Sequence, residues 1–243
     1  MPEFVRSEPG DRVVTITLDS PANRNALSRG LVAELGDALS GAAAGETAHA
    51  VLLTHTGPAF CSGAALDEMR DGDTARGTGD LLAIFRRLLT LPIQVVARVD
   101  GATRAGGLGL LGACDVVLAS SRSTFAFTEV RLGLAPAVIS LPLRPLLTAR
   151  AASRYFLTGE TFDAATAVQI GLVTATGDDV EQVLDGFRRA DRQGLRETRP
   201  LTTRDRLRAL DDEGAAMTAL SARLFASPVA QAHFAAFFRK GQS

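Results

Sequence analysis

Three glycines, Gly107, Gly109 and Gly112, match the spacing G-x-G-x-x-G within RAGGLGLLGACD (residues 104–115). In dinucleotide-binding proteins this spacing holds a pyrophosphate at the start of a helix that directly follows a strand. Here the preceding apolar run ends at Val99, and the segment DGATRA intervenes before Gly106. This interval disfavours a nucleotide-dependent oxidoreductase, which stays open as an alternative.

The same glycines have two other interpretations. Small residues let a helix approach neighbouring backbone closely, which would make the glycines packing positions. Alternatively, the unpaired N–H groups of a first helical turn at Gly106 and Gly107 can hold an anionic oxygen. Such a site needs a second donor, and the turn Ser62-Gly63-Ala64 can present free amides.

Other chemistries find little support in the composition. The two cysteines and three histidines have no metal-ligand spacing, and no base is placed to activate Cys61, so we predict a small buried residue and no metal. A net charge of −1 argues against nucleic-acid binding. No apolar run approaches the roughly 18 residues of a membrane span, and the N-terminus lacks a secretory apolar core. We therefore expect a cytoplasmic protein.

The elements that must position these residues alternate between strand and helix until about residue 140, and the remainder is mostly helical, which is typical of an α/β fold. A polar, glycine-rich stretch at 66–80 predicts a mobile loop. The predicted strands are 13–18, 49–55, 95–99, 115–120 and an edge strand at 124–127. The predicted helices are 26–43, one around 81–88, one from Asp163 to Gly171, and 228–240 opened by Ser227-Pro228.

Several stretches, in this order, resemble the crotonase superfamily of enoyl-CoA hydratases and isomerases. They are PANRNAL (21–27), AFCSGAALDEM (59–69), DGATRAGGLGLLGACDVVLAS (100–120), FAFTEVRLGLAPA (125–137) and RYFLTGETFDAATAVQIGLV (154–173). The resemblance implies a spiral of ββα units over residues 1–185 and a helical trimerisation region over 186–243. It also implies a homotrimer or a dimer of trimers.

The resemblance further implies how a thioester would be activated. The backbone N–H groups of Ala64 and Gly106 would stabilise the enolate oxygen of an acyl-CoA, and Glu129 would transfer the proton. Apolar neighbours are expected to raise the pKa of Glu129. Coenzyme A would be part of the substrate, with no separate cofactor. The residues expected to contact it are Ala22, Arg24, Ser62, Ala65, Leu66 and Gly107.

One position departs from the superfamily pattern. Hydratases of the superfamily usually pair two glutamates, and the first of these positions falls on Gly109. We still place a hydratase first, because TEVRLGLAPAVIS and RYFLTGE resemble bacterial members similar to methylglutaconyl-CoA hydratase. A 3,2-enoyl-CoA isomerase comes second and an acyl-CoA decarboxylase third. A non-catalytic acyl-CoA-binding protein is the alternative from another class.

Overall fold

The computed structural model describes residues 3–65, 68, 74–177 and 179–240. In these ranges the strands form two sheets. The larger sheet contains, in spatial order, β1 (Val5–Pro9), β2 (Val13–Leu18), β3 (Ala50–His55), β5 (Gln94–Val99), β7 (Val116–Ala119) and β10 (Ala175–Thr176). The smaller sheet contains β4 (Ala59–Cys61), β6 (Ala102–Arg104), β8 (Thr124–Ala126) and β9 (Phe162–Asp163).

From β3 to β8, the strands come in consecutive pairs, and the first strand of each pair belongs to the larger sheet while the second belongs to the smaller sheet. β3, β5 and β7 pair in parallel in the larger sheet, while β4, β6 and β8 pair in parallel in the smaller one. A helix follows each of the first two pairs: α2 (Thr74–Thr90) and α3 (Gly106–Ala113). Each repeat therefore advances both sheets by one strand, which confirms the predicted α/β spiral of ββα units.

The remaining helices are α1 (Arg29–Ala44), α4 (Ala137–Leu143), α5 (Ala149–Thr158), α6 (Ala164–Gln169), α7 (Val180–Arg189), α8 (Arg192–Phe225) and α9 (Pro228–Lys240). Short 3-10 helices span Pro21–Asn23 and Thr128–Leu132. The predicted N-cap at Asp163 accepts a hydrogen bond from the Thr166 amide at 2.8 Å. Ser227 accepts one from the Ala230 amide at 3.2 Å, as expected for the start of α9.

Two local predictions were wrong. The strand at 124–127 was expected at a sheet edge, but β8 lies between β6 and β9. Its partner β9 comes from far along the chain, and local patterning cannot reveal such pairing. The stretch 66–80 was expected to be a loop, yet α2 begins at Thr74 because its later turns bury Ile84, Phe85 and Leu88 in the core. The other residues of that stretch, apart from Glu68, lie outside the described ranges.

A buried charge cluster fixes the long helix α8 against the spiral. Arg199 donates to the Asp115 carboxylate at 2.8 Å and to the Leu88 carbonyl at 2.6 Å. Arg206 donates to the carbonyls of Gly112 and Cys114 at 3.0 and 2.7 Å. Both arginines thus satisfy carbonyl groups near the ends of α2 and α3, which orients α8. The domain boundary predicted after residue 185 falls inside α7 and stays a prediction.

Candidate active site

A cavity of about 460 Å³ lies where the loops after β2, β4 and β6 meet α2, the Thr128–Leu132 turn, α4 and α8. It brings together residues that are far apart in the sequence. The predicted site residues that line it are Ala22, Arg24, Ser62, Ala64, Ala65, Gly106 and Glu129. Leu66, predicted to contact coenzyme A, lies outside the described residues.

Asn25 holds the loop after β2, whose residues line one part of the cavity. Its side chain is fully buried, accepts from the Ser20 amide at 2.7 Å and donates to the Ala59 carbonyl at 2.8 Å. Arg24 has φ +58°, an exposed side chain and a carbonyl that accepts from the Ser62 amide at 3.0 Å. These bonds tie the 21–27 segment to the loop after β4, so both reach the cavity together.

Two residues that line the cavity, Ala64 and Gly106, have backbone amides that lie close together. A methyl group added to Gly63 would lie 3.8 Å from the amide nitrogen of Gly106, the first residue of α3. Ala105 turns the chain there with φ +47°. Over the described ranges, the N–H groups of Ala64 and Gly106 have no acceptor. Unpaired amides at a cavity can stabilise an oxyanion, and this role of Ala64 and Gly106 stays a prediction.

Glu129 supplies an acid in the same cavity. It lies in the Thr128–Leu132 turn, is only 9% exposed, and its Oε2 atom is buried without a hydrogen-bond partner. Burial raises the pKa of Glu129 from 4.5 to about 7, as expected for a carboxyl group in apolar surroundings. It is the only carboxylate among the described lining residues. A group with this pKa can accept and return a proton near neutral pH.

The glycines of α3 lie against side chains. A methyl group on Gly109 would come within 2.2 Å of the Phe85 ring, and one on Gly107 within 2.7 Å of Cys61. Gly107, predicted to contact substrate, is therefore placed against β4. On Gly112 the nearest group would be Leu143, at 2.9 Å. This packing favours the close-approach interpretation over a pyrophosphate loop.

The cysteines take no part in the cavity's chemistry. Cys61 and Cys114 are buried, and desolvation raises the pKa of each thiol to about 12, so both are protonated at neutral pH. Across the described residues no group of histidine, cysteine and carboxylate side chains could hold a metal ion. Nor does that part of the chain contain a helix long and apolar enough to cross a membrane.

Sequence analysis did not predict that helix α8 lines the cavity. Ser221 and Phe225, which lie one turn apart, form part of its wall. None of the motifs quoted above lies in the last 60 or so residues, and a wall formed by packing leaves no motif. The available signal was the i, i+4 spacing of these residues, which places them on one helix face.

Comparison with known proteins agrees with this geometry. The family model described as enoyl-CoA hydratase/isomerase matches residues 8–242. A crystal structure of an enoyl-CoA hydratase from Mycobacterium avium superposes with a TM-score of 0.90 at 42% identity, covering 99% of this chain and 98% of that one.

Two curated relatives carry different reaction names. The 2,3-dehydroadipyl-CoA hydratase of Escherichia coli is 33% identical over 67% of this chain and 65% of its own length. A Mycobacterium tuberculosis hydrolase of a hexahydro-indene-carboxyl-CoA is 35% identical over 68% of this chain and 67% of its own. Several other relatives are matched over only 57% to 63% of their length. The chain belongs to the enoyl-CoA hydratase/isomerase family, within the crotonase superfamily.

Proposed function

We propose that this protein hydrates a 2-enoyl-CoA, using the amides of Ala64 and Gly106 to stabilise an enolate and Glu129 to move the proton. The observation that carries the proposal is the unpaired, buried carboxyl of Glu129 in the same cavity as two unpaired amides. Family membership supports an acyl-CoA thioester as the substrate.

In the proposed reaction, the thioester oxygen accepts hydrogen bonds from both amides. Such donors bind the developing enolate oxygen more strongly than the ground-state carbonyl. The Glu129 carboxylate takes a proton from water as the water oxygen bonds to C3 of the enoyl group. The electron pair of the double bond moves into the enolate, and Glu129 then returns the proton to C2. One water is added, and Glu129 ends as it began.

A specific observation favours a 1,3-proton shift as the second candidate. The place of a second glutamate is filled by Phe85, which leaves Glu129 as the one carboxylate among the described lining residues. Isomerisation needs only one carboxylate. Glu129 removes a proton from C2 of a 3-enoyl-CoA and returns it to C4. No water is consumed, and the same amides hold the dienolate.

Product analysis with crotonyl-CoA and with a 3-enoyl-CoA distinguishes the candidates. Formation of a 3-hydroxyacyl-CoA from crotonyl-CoA supports hydration. Conversion of the 3-enoyl to the 2-enoyl thioester, with crotonyl-CoA left unchanged, replaces it with isomerisation. Binding without turnover of either substrate would instead indicate a non-catalytic acyl-CoA-binding protein.

We further propose that the protein is a homotrimer or a dimer of trimers, as the family resemblance implies. Exposed apolar side chains support a subunit interface: Leu157 is 74%, Leu201 66% and Val229 58% exposed in the single chain. Light scattering coupled to gel filtration measures the mass. A monomer that keeps full activity would contradict the proposal.

A further inference from the structure

Helix α8 presents an unpaired hydroxyl to the cavity. Ser221 lines the cavity and is 6% exposed, and its hydroxyl has no hydrogen-bond partner among the described residues. Serine and threonine inside a helix commonly donate to the carbonyl four residues earlier. In the same helix Thr203 does so to Arg199, at 3.1 Å. Ser221 makes no such bond, so its hydroxyl is available to another partner.

A second hydroxyl on this helix is also unpaired. The Oγ1 atom of Thr218, one turn before Ser221, is buried without a partner. A buried polar group without a hydrogen bond costs roughly 1–3 kcal/mol. Thr218 does not line the cavity, whereas Ser221 does, so Ser221 carries the hydroxyl of this helix that a ligand oxygen can reach.

A large part of the cavity lining is apolar. Leu132, Leu134, Val138 and Phe225 line the same cavity, and the Phe225 ring stacks on Phe234 of α9 with centroids 5.9 Å apart. This apolar lining suits an acyl chain, and Ser221 adds a hydroxyl from helix α8 to the same cavity.

The charge of the cavity limits what that oxygen can be. Among the described lining residues the only cationic side chain is Arg24, which is exposed on the loop after β2. Glu129 contributes a buried carboxyl of its own. A second carboxylate brought into this cavity would meet like charge without a buried cation. A neutral oxygen avoids that cost.

We infer that Ser221 selects acyl groups carrying an uncharged oxygen, a hydroxyl or keto group, beyond the reacting carbons. The inference rests on the proposed function, since it takes the acyl-CoA as the substrate. A keto oxygen accepts the Ser221 proton, while a substrate hydroxyl can donate or accept. A plain hydrocarbon chain leaves the hydroxyl unpaired, so an acyl group of this kind should be converted less efficiently than an oxygenated one of the same length.

The test compares 2-enoyl-CoA pairs of equal chain length, with and without a hydroxyl or keto group at C5 or C6, in the wild type and in Ser221→Ala. We expect the wild type to prefer the oxygenated member by about 10-fold or more in kcat/KM. Ser221→Ala should remove most of this preference through loss of activity on the oxygenated member. Calorimetric Kd values for the saturated acyl-CoA pairs should show the same change.

The matched control is Ser140→Ala. Ser140 is also buried on a helix beside the cavity, but its hydroxyl already donates to the Ala137 carbonyl at 2.7 Å. This variant should leave the substrate preference unchanged, since the lost hydroxyl has an internal partner.

The outcomes separate the inference from the function. Turnover with the same preference in the wild type and Ser221→Ala overturns the inference and leaves the function standing. Ser221-dependent binding without turnover overturns the function and supports the recognition. Absence of binding by every acyl-CoA overturns both.

Discussion

Glu129 and Gly109 are the two positions at which the resemblance to the superfamily predicts acids, and their surroundings in the structure are opposite. The 3-10 turn leaves space around Glu129, whose carboxyl is buried at the cavity without a partner. Helix α3 leaves none at Gly109, because the Phe85 ring fills the place where a side chain would begin. A glutamate substituted at position 109 would therefore not by itself place a carboxylate there, because the Phe85 ring occupies the space that the side chain needs.

The largest expected effect comes from removing the carboxylate of Glu129. Glu129→Gln keeps the shape but cannot accept a proton, so turnover should fall by about 10²- to 10⁴-fold. Steady-state kinetics on whichever enoyl-CoA the wild type converts measures this. Glu160→Gln is the control, because Glu160 lies outside the cavity and is paired with Arg154. Near-normal turnover of Glu129→Gln would remove Glu129 from the mechanism.

The next effect tests whether the Phe85 ring excludes a side chain at position 109. Gly109→Glu forces a side chain into the Phe85 ring and should lower the free energy of unfolding by about 3 kcal/mol without raising hydration activity. Combining it with Phe85→Ala should recover part of the loss, because the ring that clashes is gone. Urea unfolding of both single variants and the double variant gives the coupling.

The control for this substitution is Gly41→Glu in α1, where an added methyl group meets nothing within 4 Å. It should change stability little. If Gly109→Glu were as well tolerated as this control, or additive with Phe85→Ala, the ring would not be what excludes the second acid.

A smaller effect tests whether burial raises the pKa of Glu129. The folded-state pKa of about 7 lies above the ordinary 4.5, so between these values the folded protein holds a proton that the unfolded chain has lost. Stability from this group is complete below pH 4.5 and is lost as pH rises through 7. Glu129→Gln avoids that loss, and its stability relative to wild type should increase by on the order of 3 kcal/mol from pH 4.5 to pH 8. Chemical unfolding at both pH values measures it, and a pH-independent difference would contradict the raised pKa.

The smallest effect concerns Ala105, the residue that precedes helix α3, in which Gly109 lies. Ala105 has φ +47° and ψ −119°, a conformation that favours glycine. Ala105→Gly should stabilise by about 0.5–1 kcal/mol, because relief of roughly 1–3 kcal/mol of strain exceeds the added flexibility of the unfolded chain. Ala113→Gly, at the end of the same helix, should instead destabilise by about 1 kcal/mol. Thermal unfolding compares them, and equal losses would show that Ala105 is unstrained.

The sequence predicted elements best where a local period was long enough. Strand 13–18 is β2 and helix 228–240 is α9, with the bounds that were predicted. The strands β4 and β6, of three residues each, carry no detectable period and were missed. The site residues were predicted from motif order, while Ser221 and Phe225 were not, because their part in the cavity depends on how α8 packs.

The sequence by itself determined the repeating strand and helix order, the ordered motifs that identify the family, and the absence of an acid at position 109. These follow from residue types and local spacing. Only the tertiary structure decided that Phe85 fills the place beside Gly109, that Glu129 is buried without a partner, and that Ser221 faces the cavity. Each depends on segments distant in sequence that occupy the same space, and the local pattern of a chain carries no information about such contacts.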